Sequence, residues 1–208
     1  MISKKTRNFF KQKFETKEIK KAPIVFLDRD GTINEEAEFL TKTSQIHIFR
    51  NSIKAIKLLN SVGFRIVIVT NQPVIARGLI TPEEALRINE IFHTKLKTYG
   101  AGIDAIYTCP HHPKANIFEF RVNCKCRKPQ PLMLKAAAKD FNVKAKDCYI
   151  IGDRTSDIKT GMLLGMTTIL VKTGYAGKDY KYKISPDFIS QNIFQAAKII
   201  KSKYSMGK

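Results

Sequence analysis

Short runs of β-branched and aliphatic residues alternate along this chain with stretches of helical period. This is the pattern of a parallel α/β sheet whose buried strands are joined by crossover helices. Residues 24–27, 65–70, 103–108, 148–151 and 167–171 predict five strands. A helix over 52–62 stops at Gly63, a normal helix ending. Thr81-Pro82-Glu83-Glu84 is a capping box with proline in the first turn, and Ala85, Ile88, Phe92, Leu96 and Tyr99 follow at three-to-four spacing as a packing face. Further helices are predicted over 132–141, in a short segment after Asp157, and over 192–204. The chain shows no internal repeat and no low-complexity linker. Residues 22–208 therefore read as one doubly wound, Rossmann-like α/β domain, and 1–21 as a basic N-terminal extension. For that extension the pattern leaves two states open, a helix ordered against the body or a frayed segment.

Composition changes this picture little. With 43% hydrophobic and 26% charged residues the chain has the make-up of a soluble globular protein, which sets aside disorder and fibrous repeats. Its apolar runs fall far short of the roughly 18 residues of a membrane span. The N-terminus lacks the apolar centre of a secretory signal, so a cytoplasmic location is expected. Charge asks a sharper question: 37 Lys plus Arg against 18 Asp plus Glu give +19. Nucleic acid, an anionic membrane surface or a small anionic substrate would each suit such a balance. Eight basic and two acidic residues up to Lys21 supply +6, and the remaining +13 is spread over the body with few aromatics beside it. That distribution favours a solvated, lysine-rich surface over a nucleic-acid stripe.

In a doubly wound sheet the active site lies beyond the carboxyl ends of the strands. Four polar clusters fall there: Asp28-Arg29-Asp30-Gly31-Thr32, Thr70-Asn71-Gln72, Gly152-Asp153-Arg154 with Asp157, and Arg127-Lys128-Pro129 ahead of a helix. Each alone has a plain explanation as turn, cap or surface. Together they gather three or four carboxylates, a hydroxyl, an amide and a lysine on one rim, where the acids would repel each other without a cation among them. A hard divalent ion such as Mg²⁺ takes oxygen ligands and bridges to phosphate.

A second constellation lies in the irregular stretch between 109 and 131. Cys109, His111 and His112 are followed by Cys124 and Cys126, a Cys₃His set that suits tetrahedral structural zinc, with a disulfide as the alternative in an oxidising compartment. Cys148, within an apolar run, reads as a buried small residue.

The signature DxDGT (Asp28, Asp30, Gly31, Thr32), strand-end Thr70, Lys128 and GDxxxD (Asp153, Asp157), in this order, resembles the haloacid-dehalogenase-like phosphatases over residues 22–200. The resemblance implies that Asp28 is the nucleophile and forms an aspartyl-phosphate. It makes Asp30 the acid and then the base, with Thr70 and Lys128 holding the phosphoryl oxygens. It further implies Mg²⁺ on the carboxylates of Asp28 and Asp153 and the main-chain carbonyl of Asp30, with Asp157 outside the ligand set.

The zinc stretch, DRDGTIN (28–34), TNQxxIARG (70–78) and LVKTG (170–174) are similar to those of the heptose-1,7-bisphosphate 7-phosphatases within that family. Histidinol-phosphatases share the zinc set but have a shorter loop. This likeness favours His111 over His112 as the fourth zinc ligand, in a zinc loop spanning 109–126. It makes Arg127 a substrate-recognition residue and brings Asn71 and Gln72 to the sugar pocket. Arg154, where lysine is usual, and Arg77, weighed evenly against a surface salt bridge, are further candidates. Departures stand at Glu36-Ala37-Glu38-Phe39 and at Pro73-Val74, both beside the expected sugar site. The implied activity is removal of the C7 phosphate of a heptose 1,7-bisphosphate by a cytoplasmic, monomeric enzyme with no nucleic-acid or membrane partner. Its place would be nucleotide-heptose and lipopolysaccharide-core biosynthesis. The competing readings are another small phosphomonoesterase, or a basic nucleic-acid-binding or scaffold protein on the same fold.

Overall fold

The structure is a computed structural model and describes residues 9–14 and 22–206. Seven strands form one sheet: β1 (Phe10–Lys13), β2 (Ile24–Leu27), β3 (Arg65–Asn71), β4 (Ala105–Cys109), β5 (Tyr149–Gly152), β6 (Thr167–Val171) and β7 (Phe188–Ser190). Their order across the sheet is β1-β4-β3-β2-β5-β6-β7. The strands from β2 to β7 pair in parallel, and only β1 runs antiparallel, on the edge beside β4. The continuous Ile-Val-Phe-Leu run of β2 needs no polar alternation because all four residues are buried between two helical layers.

One layer holds α1 (Arg50–Val62), α3 (Pro82–Thr98) and α6 (Ile193–Met206). Ile56, Leu59, Ile88, Phe92, Ala197 and Ile200 pack there against Leu27, Ile68 and Ile151 of the sheet. The other layer holds α4 (Leu132–Asp140), whose Met133, Leu134 and Ala137 meet Phe26, Val67, Val69 and Ile150. The helix α5 (Thr155–Leu163) follows β5 directly, and the short α2 (Pro73–Ala76) follows β3.

The five expected strands and the long helices are present, with ends displaced by one or two residues. Gly63 ends α1 at φ +93°, the left-handed conformation in which glycine carries no steric penalty. Thr81 Oγ1 accepts from Glu84 N at 3.1 Å while Thr81 N donates to Glu84 Oε2 at 2.7 Å, so the predicted capping box is formed in both directions. Cys148 is buried, as expected.

Several expectations need correction. The packing face of α3 ends at Leu96, since Tyr99 is 58% exposed at the helix C-terminus. The helix placed after Asp157 begins at Thr155, because Asp157 itself caps it: Arg154 N donates to Asp157 Oδ2 at 3.0 Å. Residues 10–13, given to a helix or a frayed segment, form an edge strand. The remainder of the extension, 1–8 and 15–21, lies outside the described residues. Strand β7 and helix α2 were not anticipated. No helix among the described residues is long and apolar enough to cross a membrane.

Candidate active site

The chain leaves β2 toward β3 and β4 on one side, then returns to lay β5 beside β2 on the other. That reversal opens a crevice at the carboxyl ends of β2 and β5, the place where α/β sheets bind ligands. Asp28 follows β2 and Asp153 follows β5, so the two acidic motifs, 125 positions apart, face each other across adjacent strands. Thr70 and Asn71 end β3, and Lys128 enters from the loop beyond β4. Asp28, Asp30, Thr70, Asn71, Gln72, Arg127, Lys128 and Arg154 line one cleft together with Glu36, Glu38, Asp179 and Lys181.

Lys128 is the hub. Its Nζ lies 2.8 Å from Asp28 Oδ1, 2.6 Å from Asp157 Oδ1 and 2.6 Å from the carbonyl of Val69. Burial alone would lower its pKa, but Asp157 and Asp28 outweigh that and raise it, so the ammonium stays charged although buried. The backbone N–H of Arg29 donates to the same oxygen of Asp28 at 2.8 Å, which fixes the carboxylate's orientation.

Asp30 sits in a cage of donors. Arg29 Nε and Nη2 reach its two oxygens at 3.1 and 2.9 Å, Asn34 Nδ2 lies at 2.9 Å and Gln72 Nε2 at 2.7 Å. Burial pushes its pKa up, but Arg29 first and then the hydrogen bonds from Arg29, Asn34 and Gln72 hold the carboxyl below its ordinary value.

Asp28, Asp153 and Asp157 form a buried trio with carboxylate oxygens within 4.8 Å of one another. Burial and then the charges of Asp28 and Asp157 raise the pKa of Asp153. Burial, then Asp28, likewise raises that of Asp157. Asp157 pairs with Lys128 through one oxygen and accepts from Arg154 N through the other, and Asp28, Asp153 and Asp157 each could offer an oxygen to a metal. Asp153 is held by Thr32 Oγ1 at 3.1 Å and Tyr175 N at 2.7 Å, and any Cβ at Gly31 or Gly174 would collide with its carboxylate. Glycine at these two positive-φ positions makes the room for it.

The second constellation also assembles. Cys126 Sγ lies 3.3 Å from Cys109 Sγ and 3.2 Å from Cys124 Sγ, and His111 Nδ1 lies 3.3 Å from Cys126 Sγ. A tetrahedral zinc with bonds of about 2.3 Å to sulfur separates its thiolates by about 3.8 Å, so the cluster fits to within about half an ångström. All three cysteines are free of disulfides. Cys124 is drawn down by hydrogen bonds from Cys109 and Cys126, while burial pushes Cys109 up to about 12 and the neighbouring thiols push Cys126 up. His111 faces the cluster, whereas His112 Nδ1 accepts from Lys114 N outside it. The cluster ties directly to the cleft, because Arg127 N donates to Cys124 Sγ at 3.3 Å and Arg127 Nη1 to the carbonyl of His111 at 3.1 Å.

The sugar-pocket candidates divide. Arg127 and Arg154 line the cleft, Arg154 pairing with Glu36 at 3.2 Å and lying over the Tyr175 ring at 3.7 Å. Asn71 also lines it, but its side chain brackets Lys128, accepting from Lys128 N at 3.0 Å and donating to Lys128 O at 3.2 Å. Gln72 Nε2 donates to Thr70 Oγ1 at 2.8 Å as well as to Asp30. These two amides set the positions of other groups. Arg77 sits outside the lining, with its guanidinium 4.5 Å from the Phe39 ring centroid. Sequence reasoning missed Lys181 and Asp179, which enter from the loop after β6 with no motif to announce them. It also missed Arg29, whose place between two motif aspartates was the available signal.

Comparison with known proteins agrees with this geometry. The HAD-hydrolase-like family model matches residues 125–196. The D-glycero-beta-D-manno-heptose-1,7-bisphosphate 7-phosphatase of Yersinia pestis is 34% identical over 183 residues, 88% of this chain and 97% of that protein. The D-glycero-alpha-D-manno-heptose-1,7-bisphosphate 7-phosphatase of Photorhabdus laumondii is 34% identical over 181 residues, 86% of this chain and 97% of that protein. Among solved structures, the D,D-heptose 1,7-bisphosphate phosphatase of B. bronchiseptica, complexed with magnesium and phosphate, superposes with a TM-score of 0.77 at 27% identity, covering 87% of this chain and 99% of that one. The chain therefore belongs to the heptose-1,7-bisphosphate 7-phosphatase family of haloacid-dehalogenase-like hydrolases.

Proposed function

We propose that the chain removes the C7 phosphate of a D-glycero-D-manno-heptose 1,7-bisphosphate through an aspartyl-phosphate on Asp28. The observation that carries this reading is the meeting of Asp28, Lys128 and Asp153 at the reversal of the sheet, with Asp30 one turn away. The carboxylates of Asp28 and Asp153 and the main-chain carbonyl of Asp30 would hold Mg²⁺. Bound there, the ion would mask the phosphoryl charge that otherwise repels a carboxylate nucleophile.

Asp28 attacks phosphorus with an oxygen lone pair while the P–O bond to the sugar breaks. Lys128 and Thr70 hold the phosphoryl oxygens as charge moves onto them. Asp30 gives its proton to the departing alkoxide, then takes one from the water that attacks the aspartyl-phosphate, so the same group serves both half-reactions. Its caged carboxylate suits the base role, and a phosphate dianion arriving beside it raises its proton affinity for the acid role.

Arg127 and Arg154 suit recognition of the phosphate that is not cleaved, since a guanidinium can pair bidentately with it. Zinc at Cys109, His111, Cys124 and Cys126 would be structural, because four protein ligands leave no open position for substrate. Free thiols of this kind suit the reducing cytoplasm.

Phosphate release from both anomers of the heptose bisphosphate, histidinol phosphate and several hexose phosphates, with Mg²⁺, tests the reading. One heptose anomer should lead the panel, and Asp28→Asn should abolish turnover. Preference for histidinol phosphate, or activity that persists in Asp28→Asn, would overturn it.

A further inference from the structure

The edge strand β1 reaches the acid/base residue through an unbroken chain of hydrogen bonds. On β1, Phe10 and Gln12 face α3 while Lys11 and Lys13 face α4, where Lys11 pairs with Asp140 at 2.9 Å. Gln12 Nε2 donates to the carbonyl of Leu86 on α3 at 3.0 Å, which turns its Oε1 toward Asn89, and Asn89 Nδ2 donates to that oxygen at 2.9 Å. Asn89 Nδ2 also reaches Thr108 Oγ1 at 3.1 Å. Its amide is thereby set with Oδ1 toward Arg29, whose Nη1 donates to it at 3.1 Å. The other two nitrogens of that guanidinium hold both oxygens of Asp30.

Asn89 is 1% exposed and Arg29 2% exposed, an amide and a cation deep in an apolar layer. Such groups are costly unless fully partnered, and every link here is partnered in one direction only: an amide has distinct donor and acceptor ends, so turning any member breaks at least two bonds. The edge strand is itself fixed on both faces. Phe14, just past β1, stacks on His93 of α3 at 3.8 Å, and Phe9 lies 5.7 Å from Tyr107 of β4.

We propose that Gln12 of β1 is a positioning residue for proton transfer, orienting Asp30 through Asn89 and Arg29. The basic extension, which had no role in the sequence reading, thereby supplies part of the active site's scaffold. The proposal rests on the reading of Asp30 as the acid and base.

The test exploits leaving groups. Release of a sugar alkoxide needs a proton from Asp30, whereas p-nitrophenolate leaves without one. The ratio kcat/KM stops at the first irreversible step and so isolates this half-reaction. In the full chain, Gln12→Ala should lower kcat/KM for the sugar phosphate about 5- to 20-fold more than for p-nitrophenyl phosphate, a fraction of the roughly 10²- to 10⁴-fold that a general acid contributes. Gln12→Glu keeps an acceptor for Asn89 while losing the donor to the Leu86 carbonyl, and should restore part of the difference. Gln12→Leu, which keeps the side chain's bulk, should behave as Gln12→Ala does and serves in its place if the alanine variant does not fold. An equal fall for both substrates, or no fall, would overturn the positioning role. Asp30→Asn run alongside separates the two readings: it should show the same selectivity at its full size. If it does not, the assignment of Asp30 fails and the proposal falls with it. If it does while Gln12→Ala matches the wild type, only the proposal falls.

Discussion

Asp153 has almost no freedom in this site. Thr32 and Tyr175 hold one oxygen each, and a Cβ at Gly31 or Gly174 would collide with the carboxylate. Gly174 has φ +55°, and a Cβ there would run into both Asp153 and the backbone of Gly31. Gly174→Ala should therefore weaken Mg²⁺ binding and lower kcat/KM at least about tenfold, because a displacement near 1 Å is enough for losses of that order; titration of activity with Mg²⁺ checks it. Lys128 presents the opposite problem, a single cation between two buried carboxylates. Lys128→Met leaves both without their counter-charge and should destabilise the metal-free protein by about 3–5 kcal/mol, measured by urea unfolding with chelator present. At this scale the motif residues were legible because their chemistry depends on residue type and spacing. The contacts of Asn71 and Gln72 with Lys128 and Asp30 were not legible, since a strand-end amide can point into a pocket or back to its neighbours, and only the packing of the 127–129 loop and of Asp30 decides.

Elements with strong periodicity announced themselves, and weak ones did not. Helix α3 carried a capping box and an apolar stripe; β1 is four residues long, reads Phe-Lys-Gln-Lys, and owes its conformation to β4, which no local pattern reveals. Its attachment is testable by pH. Burial raises the pKa of Asp140, but the Tyr107 hydroxyl at 2.5 Å and then Lys11 and Lys13 bring the net value below ordinary. A depressed carboxyl contributes stability above its unfolded pKa of about 3.9 and loses it as the pH falls through the lower native value. Asp140→Asn should therefore be less stable than the wild type at neutral pH, with the two unfolding curves converging as acid is added. The cysteines of the loop were legible from spacing, while the choice of His111 over His112 came from the family likeness, and the loop's connection to function is also at this scale: Arg127 hangs on Cys124 and on His111. Cys126→Ser should reduce bound zinc below one equivalent by metal analysis and raise KM for the bisphosphate, through Arg127, beyond its effect on the melting temperature.

The whole molecule carries +19, yet the cleft does not share that excess. Its lining includes Asp28, Asp30, Glu36, Glu38 and Asp179 against Arg127, Lys128, Arg154 and Lys181, a near balance tilted to negative before any cation binds. On the proposed function, an anionic sugar bisphosphate would therefore be drawn first by the field of the distant lysines and held only later by the local guanidinium and ammonium groups. Long-range attraction is screened over a Debye length of about 8 Å at physiological salt, whereas contacts inside the cleft are screened far less. The two contributions separate kinetically. Raising monovalent salt from about 0.02 M to about 0.2 M, at fixed Mg²⁺, should lower kcat/KM for the bisphosphate several-fold while kcat stays level. The same change should matter less for a monophosphate of smaller charge. A kcat that fell in step with kcat/KM would place the salt effect within the catalytic groups and leave the surface charge without a part in capture.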